Sequence, residues 1–220
     1  MPERAPIEHR AWLLASLLAG ISFYFVKDAA LPAAGFVLWK GAGVALLAGW
    51  ALLQPRNPGV LLIALVMALG AAGDMLLEWD QTAGGAAFLL GHVAAMWLYL
   101  RNWRPNITFS QRLLASLVVP VSVFVAAMCS PPAQQTATAI YAFFVSGMAA
   151  SAWTSRFPRY RTGIGAMMFL ASDLLIFGRF GPLANSMLPG LLIWPVYYFG
   201  QFMICTGVIG SLRSQPTPQS

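Results

Sequence analysis

The stretch Gly59 to Leu77, GVLLIALVMALGAAGDMLL, decides the fold, because Asp74 is the only charged residue in its nineteen positions. An α-helix of this length covers about 28 Å at 1.5 Å per residue, close to the ~30 Å of hydrocarbon in a bilayer. The stretch therefore predicts a transmembrane helix with one carboxyl group inside the membrane. Comparable apolar runs recur along the chain, separated by short breaks such as Gln54-Pro55-Arg56-Asn57-Pro58.

Eight runs of this kind predict an all-α, polytopic membrane protein, built as a compact bundle of eight transmembrane helices. Residues 1–213 are predicted to form this single domain, and the polar tail 214–220 is predicted to be disordered. The predicted spans are Ala11–Val26, Pro32–Leu53, Gly59–Leu77, Gly84–Leu100, Ser110–Met128, Thr136–Ser155, Gly163–Phe177 and Met187–Leu212.

Composition supports the bilayer as the solvent of this protein. Of 220 residues, 59% are hydrophobic and 9% are charged, which is too apolar for a water-soluble fold of this length. The net charge of +6 would suggest nucleic acid as a partner in a soluble protein. Here the basic residues occupy the connections between apolar runs, so they indicate membrane topology and nucleic acid is not expected.

The basic residues predict the orientation of the bundle. With eight spans, only Lys27 and Arg179 fall in the connections on one side. Cytoplasmic connections carry the excess of Lys and Arg, so both termini are predicted to be cytoplasmic. The opposite side receives ten arginines: Arg4, Arg10, Arg56, Arg101, Arg104, Arg112, Arg156, Arg159, Arg161 and Arg213.

Four ionisable residues remain inside the predicted spans: Lys40, Asp74, His92 and Asp173. Counted from the predicted outer end of its span, each lies three to eight residues deep, roughly 5 to 12 Å at 1.5 Å per residue. Ionisable groups are costly in a membrane unless they face the bundle interior. Four helices that place such groups at one depth therefore predict a shared, hydrated cavity in the outer half of the membrane.

The last predicted span contributes Tyr197, Tyr198 and Gln201 at a similar depth. Tyr197 and Gln201 are four residues apart and so share one helix face. Small residues precede each aspartate, as in Gly70-Ala71-Ala72-Gly73 and Ala171-Ser172. They allow neighbouring helices to approach closely, which predicts tight walls around the carboxyl groups.

Each of these residues also has a structural interpretation. Asp74 could be a helix-end carboxylate beside Glu78, and Asp173 could form an interhelical hydrogen bond. Lys40 could extend to the interface as an anchor, and His92 could be a structural histidine. Cys129 and Cys205 lie far apart without metal-ligand spacing, so no metal or cofactor is expected.

Taken in order, these motifs resemble the YhhN family of membrane proteins, whose best-characterised members are lysoplasmalogenases. The resemblance runs through most of the chain and includes the eight-span layout. The matching residues are Lys40, Gly73-Asp74-Met75-Leu76-Leu77, Gly84, Phe88 and His92 at four-residue spacing, Ser172-Asp173, and Tyr197-Tyr198-Phe199-Gly200-Gln201.

The resemblance implies hydrolysis of the vinyl ether bond of lysoplasmalogens to a fatty aldehyde and a glycerophospho-alcohol. Asp74 and Asp173 are then expected to divide the roles of acid and anion, because two carboxyl groups that share a pocket do not readily ionise together. His92 is expected to order the water or the base, and Lys40 to pair with the substrate phosphate or the ionised aspartate. Tyr197, Tyr198 and Gln201 are expected to bind substrate.

Two other functions remain open from the residues alone. Acidic residues in spans also mark ion pathways, so a small transporter is one alternative, although the inner half of the third and seventh spans is mainly apolar. A non-catalytic lipid-binding protein is the other. In each case the expected partners are bilayer lipid and, for the hydrolase, a lysophospholipid substrate. No protein partner is implied, and a bacterial inner membrane is the expected location.

Overall fold

The protein folds into a bundle of α-helices in the computed structural model, which describes residues 9–214. Eight α-helices run through this part of the chain, as predicted, and the only strand-like pairing in it is one antiparallel bridge between Trp103 and Ser155. The all-α class is therefore confirmed. The helices are α1 Arg10–Val26, α2 Ala33–Leu52, α3 Pro58–Leu76, α4 Gln81–Arg101, α5 Phe109–Cys129, α6 Gln135–Thr154, α7 Ile164–Gly178 and α8 Leu188–Arg213.

Side chains in the connections fix where several helices begin. Asn57 accepts a hydrogen bond from the Val60 amide at the start of α3, and Thr108 forms a capping box with Gln111 at the start of α5. At the start of α4, the amides of Ala83 and Thr82 hold the pKa of the Asp80 carboxyl below its usual range. A π-helical turn, Arg159–Gly163, leads into α7.

Six helical stretches in the described part of the chain are both long enough and apolar enough to cross a membrane: α2, α3, α4, α5, α8, and α7 taken together with its π-helical turn. The other two are α1, an apolar helix of 17 residues, and α6, which has 20 residues but a more polar sequence. The fold is therefore that of a multi-pass membrane protein, with eight helices in the bundle of which six meet the criteria for spans. The cytoplasmic placement of both termini stays a prediction.

The last helix lies at the centre of the bundle. α8 packs against α1, α2, α3 and α7, and 56% of its most apolar stretch is buried. α5 packs against α6 and α7 only, and 17% of its apolar stretch is buried, so it lies at the periphery. Tyr197, Tyr198 and Gln201 in the middle of α8 therefore face the interior, whereas Phe199 on the same stretch is exposed.

The chain ends fall largely outside the described residues. The predicted disordered tail 214–220 is described only at Ser214, and Arg4 of the predicted cytoplasmic cluster also lies outside the described part of the chain. The predicted bounds of the spans agree with the helices to within a few residues. The largest difference is at the start of α4, which begins at Gln81, three residues before the predicted Gly84, because Asp80 caps it there.

Candidate active site

Asp74 lies in the last turn of α3 and is buried against α8. The hydroxyl of Tyr197 donates a hydrogen bond of 2.7 Å to its Oδ2 atom. The amide of Gln201, one turn further along α8, donates to the Tyr197 hydroxyl oxygen at 3.5 Å. Asp74, Tyr197 and Gln201 thus form a hydrogen-bonded chain, and the predicted shared face of Tyr197 and Gln201 is the face that meets Asp74.

Asp173 in α7 heads a second chain of the same kind. The hydroxyl of Tyr141, from α6, donates to Asp173 Oδ2 at 2.9 Å. The same hydroxyl oxygen lies 3.2 Å from His92 Nε2 in α4. A hydroxyl has one proton, so when Tyr141 gives it to Asp173 the oxygen can only accept from His92, and Nε2 then carries a hydrogen.

Aromatic rings join the two chains. Phe169 lies edge-on to both His92 and Tyr197, with ring centroids 5.0 and 5.1 Å apart. Phe88 contacts Phe169 and Tyr197, each at 5.9 Å. Phe169 thus contacts His92 of one chain and Tyr197 of the other. The structure therefore brings Asp74, His92, Asp173, Tyr197 and Gln201 into one buried cluster with apolar walls.

Glycines set the tight packing on the α3 side of the cluster. A Cβ atom at Gly73 would lie 2.7 Å from two ring atoms of Phe88, and one at Gly70 would lie 2.7 Å from the Gln201 amide nitrogen. Both distances are below any normal carbon contact. Glycine at these positions lets the Phe88 ring and the Gln201 amide lie directly against α3.

Lys40 lies at the outer edge of this cluster and forms an ion pair with Glu78, which follows α3. Both side chains are partly exposed, at 17% and 30%. The structure thus gives Lys40 a carboxylate partner that the sequence reasoning had considered only as a companion of Asp74.

Tyr198 points away from the carboxyl groups. Its hydroxyl shares a hydrogen bond of 2.8 Å with Ser16, and its ring packs directly against Gly20 and Gly43. Neighbouring residues on a helix point about 100° apart, so Tyr197 and Tyr198 cannot both face the same site. Tyr198 therefore contacts α1 and α2, apart from the other residues that the sequence proposed for substrate binding.

Sequence reasoning missed Tyr141, whose hydroxyl links His92 to Asp173. The signal was available, because Tyr141 lies five residues after Thr136, the predicted outer end of the sixth span, which is within the depth range of the ionisable residues. A single tyrosine among the several polar residues of α6 does not stand out in the sequence, unlike the Asp, Lys and His residues of the more apolar spans. Phe169 was also missed, since an aromatic residue in an apolar helix carries no distinguishing signal.

The cluster offers carboxyl, phenol, imidazole and amide groups in an apolar, enclosed setting. Such a set can donate a proton and stabilise a developing positive charge. Across residues 9–214, no three His, Cys, Asp or Glu side chains lie close enough to share a metal ion. These residues could donate and accept protons at two buried carboxyl groups, each of which is hydrogen-bonded to a tyrosine.

Fold and site together define a multi-pass membrane protein with a buried aspartate pair inside its helical bundle. The sequence model of the YhhN family matches residues 35–208, so the chain belongs to the YhhN family, as the resemblance indicated. The matched region includes both aspartates, Lys40, His92 and the Tyr197 to Gln201 segment. No curated protein and no solved structure gives a significant match to this chain.

Proposed function

We propose that this protein is a lysoplasmalogenase, an intramembrane hydrolase that cleaves the vinyl ether bond of lysoplasmalogens. Its products are a fatty aldehyde and glycerophosphoethanolamine or glycerophosphocholine. Membership of the YhhN family supports this assignment. The observation that carries it is the pair of buried aspartates, each held by a tyrosine hydroxyl at 2.7 or 2.9 Å.

The reaction requires an acid and an anion at one place. A proton is delivered to the outer carbon of the alkene, which leaves an oxocarbenium-like centre on the carbon bonded to oxygen. Water adds to that centre and releases a proton, and the resulting hemiacetal collapses to the aldehyde and the alcohol. A protonated carboxyl group can supply the first proton, and a carboxylate can stabilise the cation and accept the proton from water.

Asp74 and Asp173 suit this division of roles. Two carboxyl groups that interact in an apolar enclosure favour the state in which one is protonated and the other ionised. Each receives a hydrogen bond from a tyrosine, so either can be the ionised member. His92 acts on Asp173 through Tyr141, at the position where a water or a base would need to be ordered.

Lys40 is proposed to meet the substrate phosphate at the outer edge of the cluster, in exchange with Glu78. A single-chain lipid would enter sideways from the outer leaflet, with its tail among the acyl chains and its vinyl ether bond at the depth of the aspartates. The lysophospholipid and bilayer lipid are then the only partners that the reaction requires. The proposed location is a bacterial inner membrane.

The proposal is tested by incubating the purified protein with three lipids that share one headgroup: the alkenyl lysoplasmalogen, the saturated alkyl ether and the acyl ester. We expect aldehyde from the alkenyl lipid alone, because the other two have no vinyl ether to protonate. In deuterated water the aldehyde should carry one deuterium on the carbon beside its carbonyl group. A preparation with Asp74→Asn and Asp173→Asn combined controls for copurifying enzymes.

Two results would contradict the proposal. The first is an absence of aldehyde from wild-type protein that is folded in detergent or liposomes. The second is cleavage of the acyl ester at the same rate, which would indicate a general lysophospholipase. Ion flux through liposomes containing the protein, without any lipid cleavage, would favour the transporter alternative.

A further inference from the structure

A small cavity lies beneath the aspartate pair, on the side predicted to face the cytoplasm. Its volume is about 10 Å³, and five helices, α3, α4, α6, α7 and α8, contribute to its walls. Gly70 is one turn before Asp74, Gln201 is one turn after Tyr197, and Tyr99 is two turns after His92. The residues that line the cavity therefore lie one to two helical turns inward from the buried aspartate cluster. The sequence predicted that this inner region is mainly apolar.

Two of the residues that line this cavity each have a buried polar atom with no hydrogen-bond partner among the described residues. These atoms are the side-chain oxygen of Gln201 and the hydroxyl of Tyr99. Both side chains are fully enclosed, with exposures of 2% and 0%. Buried polar groups are almost always hydrogen-bonded, either to protein or to an ordered water molecule, because an unsatisfied one is costly.

The orientation of the Gln201 amide follows from the chain above it. Tyr197 gives its only proton to Asp74, so its oxygen must accept the hydrogen bond from Gln201. The amide nitrogen therefore points to Tyr197, and the amide oxygen points the other way, where it needs a donor. His92 also lines the cavity, so both aspartate chains end at its walls.

We propose that this cavity binds one water molecule, held by the Gln201 side-chain oxygen and the Tyr99 hydroxyl. Its volume matches a single water, which requires roughly 10 to 15 Å³ and at least two polar partners. A small apolar molecule would leave both polar atoms unsatisfied, and a larger polar one would not fit.

The water makes Tyr99 a positioning residue for Asp74. The water donates a hydrogen bond to the Gln201 side-chain oxygen and so fixes the orientation of the amide. The amide nitrogen in turn keeps the Tyr197 proton directed at Asp74. Tyr99 anchors the water from α4 and carries the only hydroxyl group among the described residues that line the cavity. This consequence for catalysis rests on the proposed function, whereas the water site itself does not.

The water site is tested first by high-resolution crystallography of the full chain in lipidic mesophase. Wild-type protein should show a density peak within hydrogen-bonding distance of both Gln201 and Tyr99. Ala95 lines the same cavity, and Ala95→Val should fill the space and remove the peak. Absence of the peak from wild-type protein overturns the proposal, as does a peak of equal strength in Ala95→Val.

The positioning role is tested by the kinetics of Tyr99→Phe, which removes the hydroxyl and keeps the ring. We expect kcat for aldehyde release to fall about fivefold, the effect of one hydrogen bond, with KM unchanged. Tyr160→Phe, at an exposed tyrosine remote from the cavity, is the matched control and should behave as wild type. An unchanged kcat in Tyr99→Phe overturns the positioning role.

The two proposals fail in distinguishable ways. If wild-type protein releases no aldehyde, the proposed function is wrong and the density peak alone decides the water site. If the aldehyde is released but no water is found, the proposed function stands and the water site is wrong. Should Ala95→Val fail to fold, the wild-type peak and the Tyr99→Phe kinetics still decide the outcome.

Discussion

Tyr197 and Asp74 are 123 positions apart in the sequence, and the hydroxyl of the first donates a 2.7 Å hydrogen bond to the carboxyl group of the second. This contact ties the central helix α8 to the end of α3. Tyr141 and Asp173 repeat the arrangement between α6 and α7. The proposed active site is thus two aspartates, each with its own phenol, within one buried cluster.

The neighbouring tyrosines of α8 offer a matched comparison. Tyr197→Phe removes the hydrogen bond to Asp74 and should lower kcat for aldehyde release at least about tenfold, because hydrogen bonds to charged groups contribute roughly 1.5 to 3 kcal/mol. Tyr198→Phe removes a hydrogen bond to Ser16 on the other side of the helix and should leave kcat unchanged. Equal losses in the two variants would contradict the assignment of Tyr197 to the site.

Tyr141 and His92 should act as a unit on Asp173. Tyr141→Phe breaks the link between them, so adding His92→Asn to that variant should lower kcat by less than about twofold more, since coupled residues are not additive. The four rates of this double-mutant cycle provide the measurement. If the fold reductions in kcat of the two single variants multiply in the double variant, His92 acts independently of Tyr141.

Lys40 and Glu78 should shift substrate affinity in opposite directions. Glu78→Gln frees the ammonium for the substrate phosphate and should lower KM, whereas Lys40→Gln removes it and should raise KM. Each change should be at most about fivefold, the scale of a partly exposed ion pair. KM measured for one lysoplasmalogen in all variants decides the matter, and shifts of the same sign would show that the pair has only a structural role.

Gly73 should be intolerant of a side chain. Gly73→Ala places a methyl group 2.7 Å from the Phe88 ring, and overpacking of this kind typically costs about 1 to 3 kcal/mol. We expect lower stability towards denaturant and lower activity. Gly85→Ala on α4 is the control, because nothing lies within 4 Å of a methyl group there. If both variants unfold at the wild-type denaturant concentration, the close packing at Gly73 is not as described.

Much of this architecture is predictable from the sequence because bilayer thickness dictates helix length. Eight apolar runs gave eight helices, with ends near proline and capping residues. The depth of Asp74, His92 and Asp173 in their spans predicted a shared layer, since depth along a helix is a matter of counting residues. The same reasoning counted α1 and α6 as full spans, whereas α1 is apolar but only 17 residues long, and the polar residues of α6 lower its mean hydropathy.

Rotation about the helix axis could not be predicted in the same way. Depth places Tyr197 and Tyr198 together, but only packing decides that Tyr197 meets Asp74 and Tyr198 meets Ser16. For a similar reason the sequence did not predict the ion pair of Lys40, whose long side chain reaches Glu78 beyond the end of α3. To predict the contact of Tyr141 with Asp173, one would have to know which face of α6 lies against α7.

The most direct test of the central claim is the rate of aldehyde release in Asp74→Asn, Asp173→Asn and their combination. If the aspartates act as a pair, each single change should lower kcat by at least roughly 100-fold, and the double change should cost little more. Asp28→Asn, at an exposed aspartate beside Lys27, is the control for the substitution itself. A wild-type rate in either single variant, with the protein correctly folded, would contradict the account.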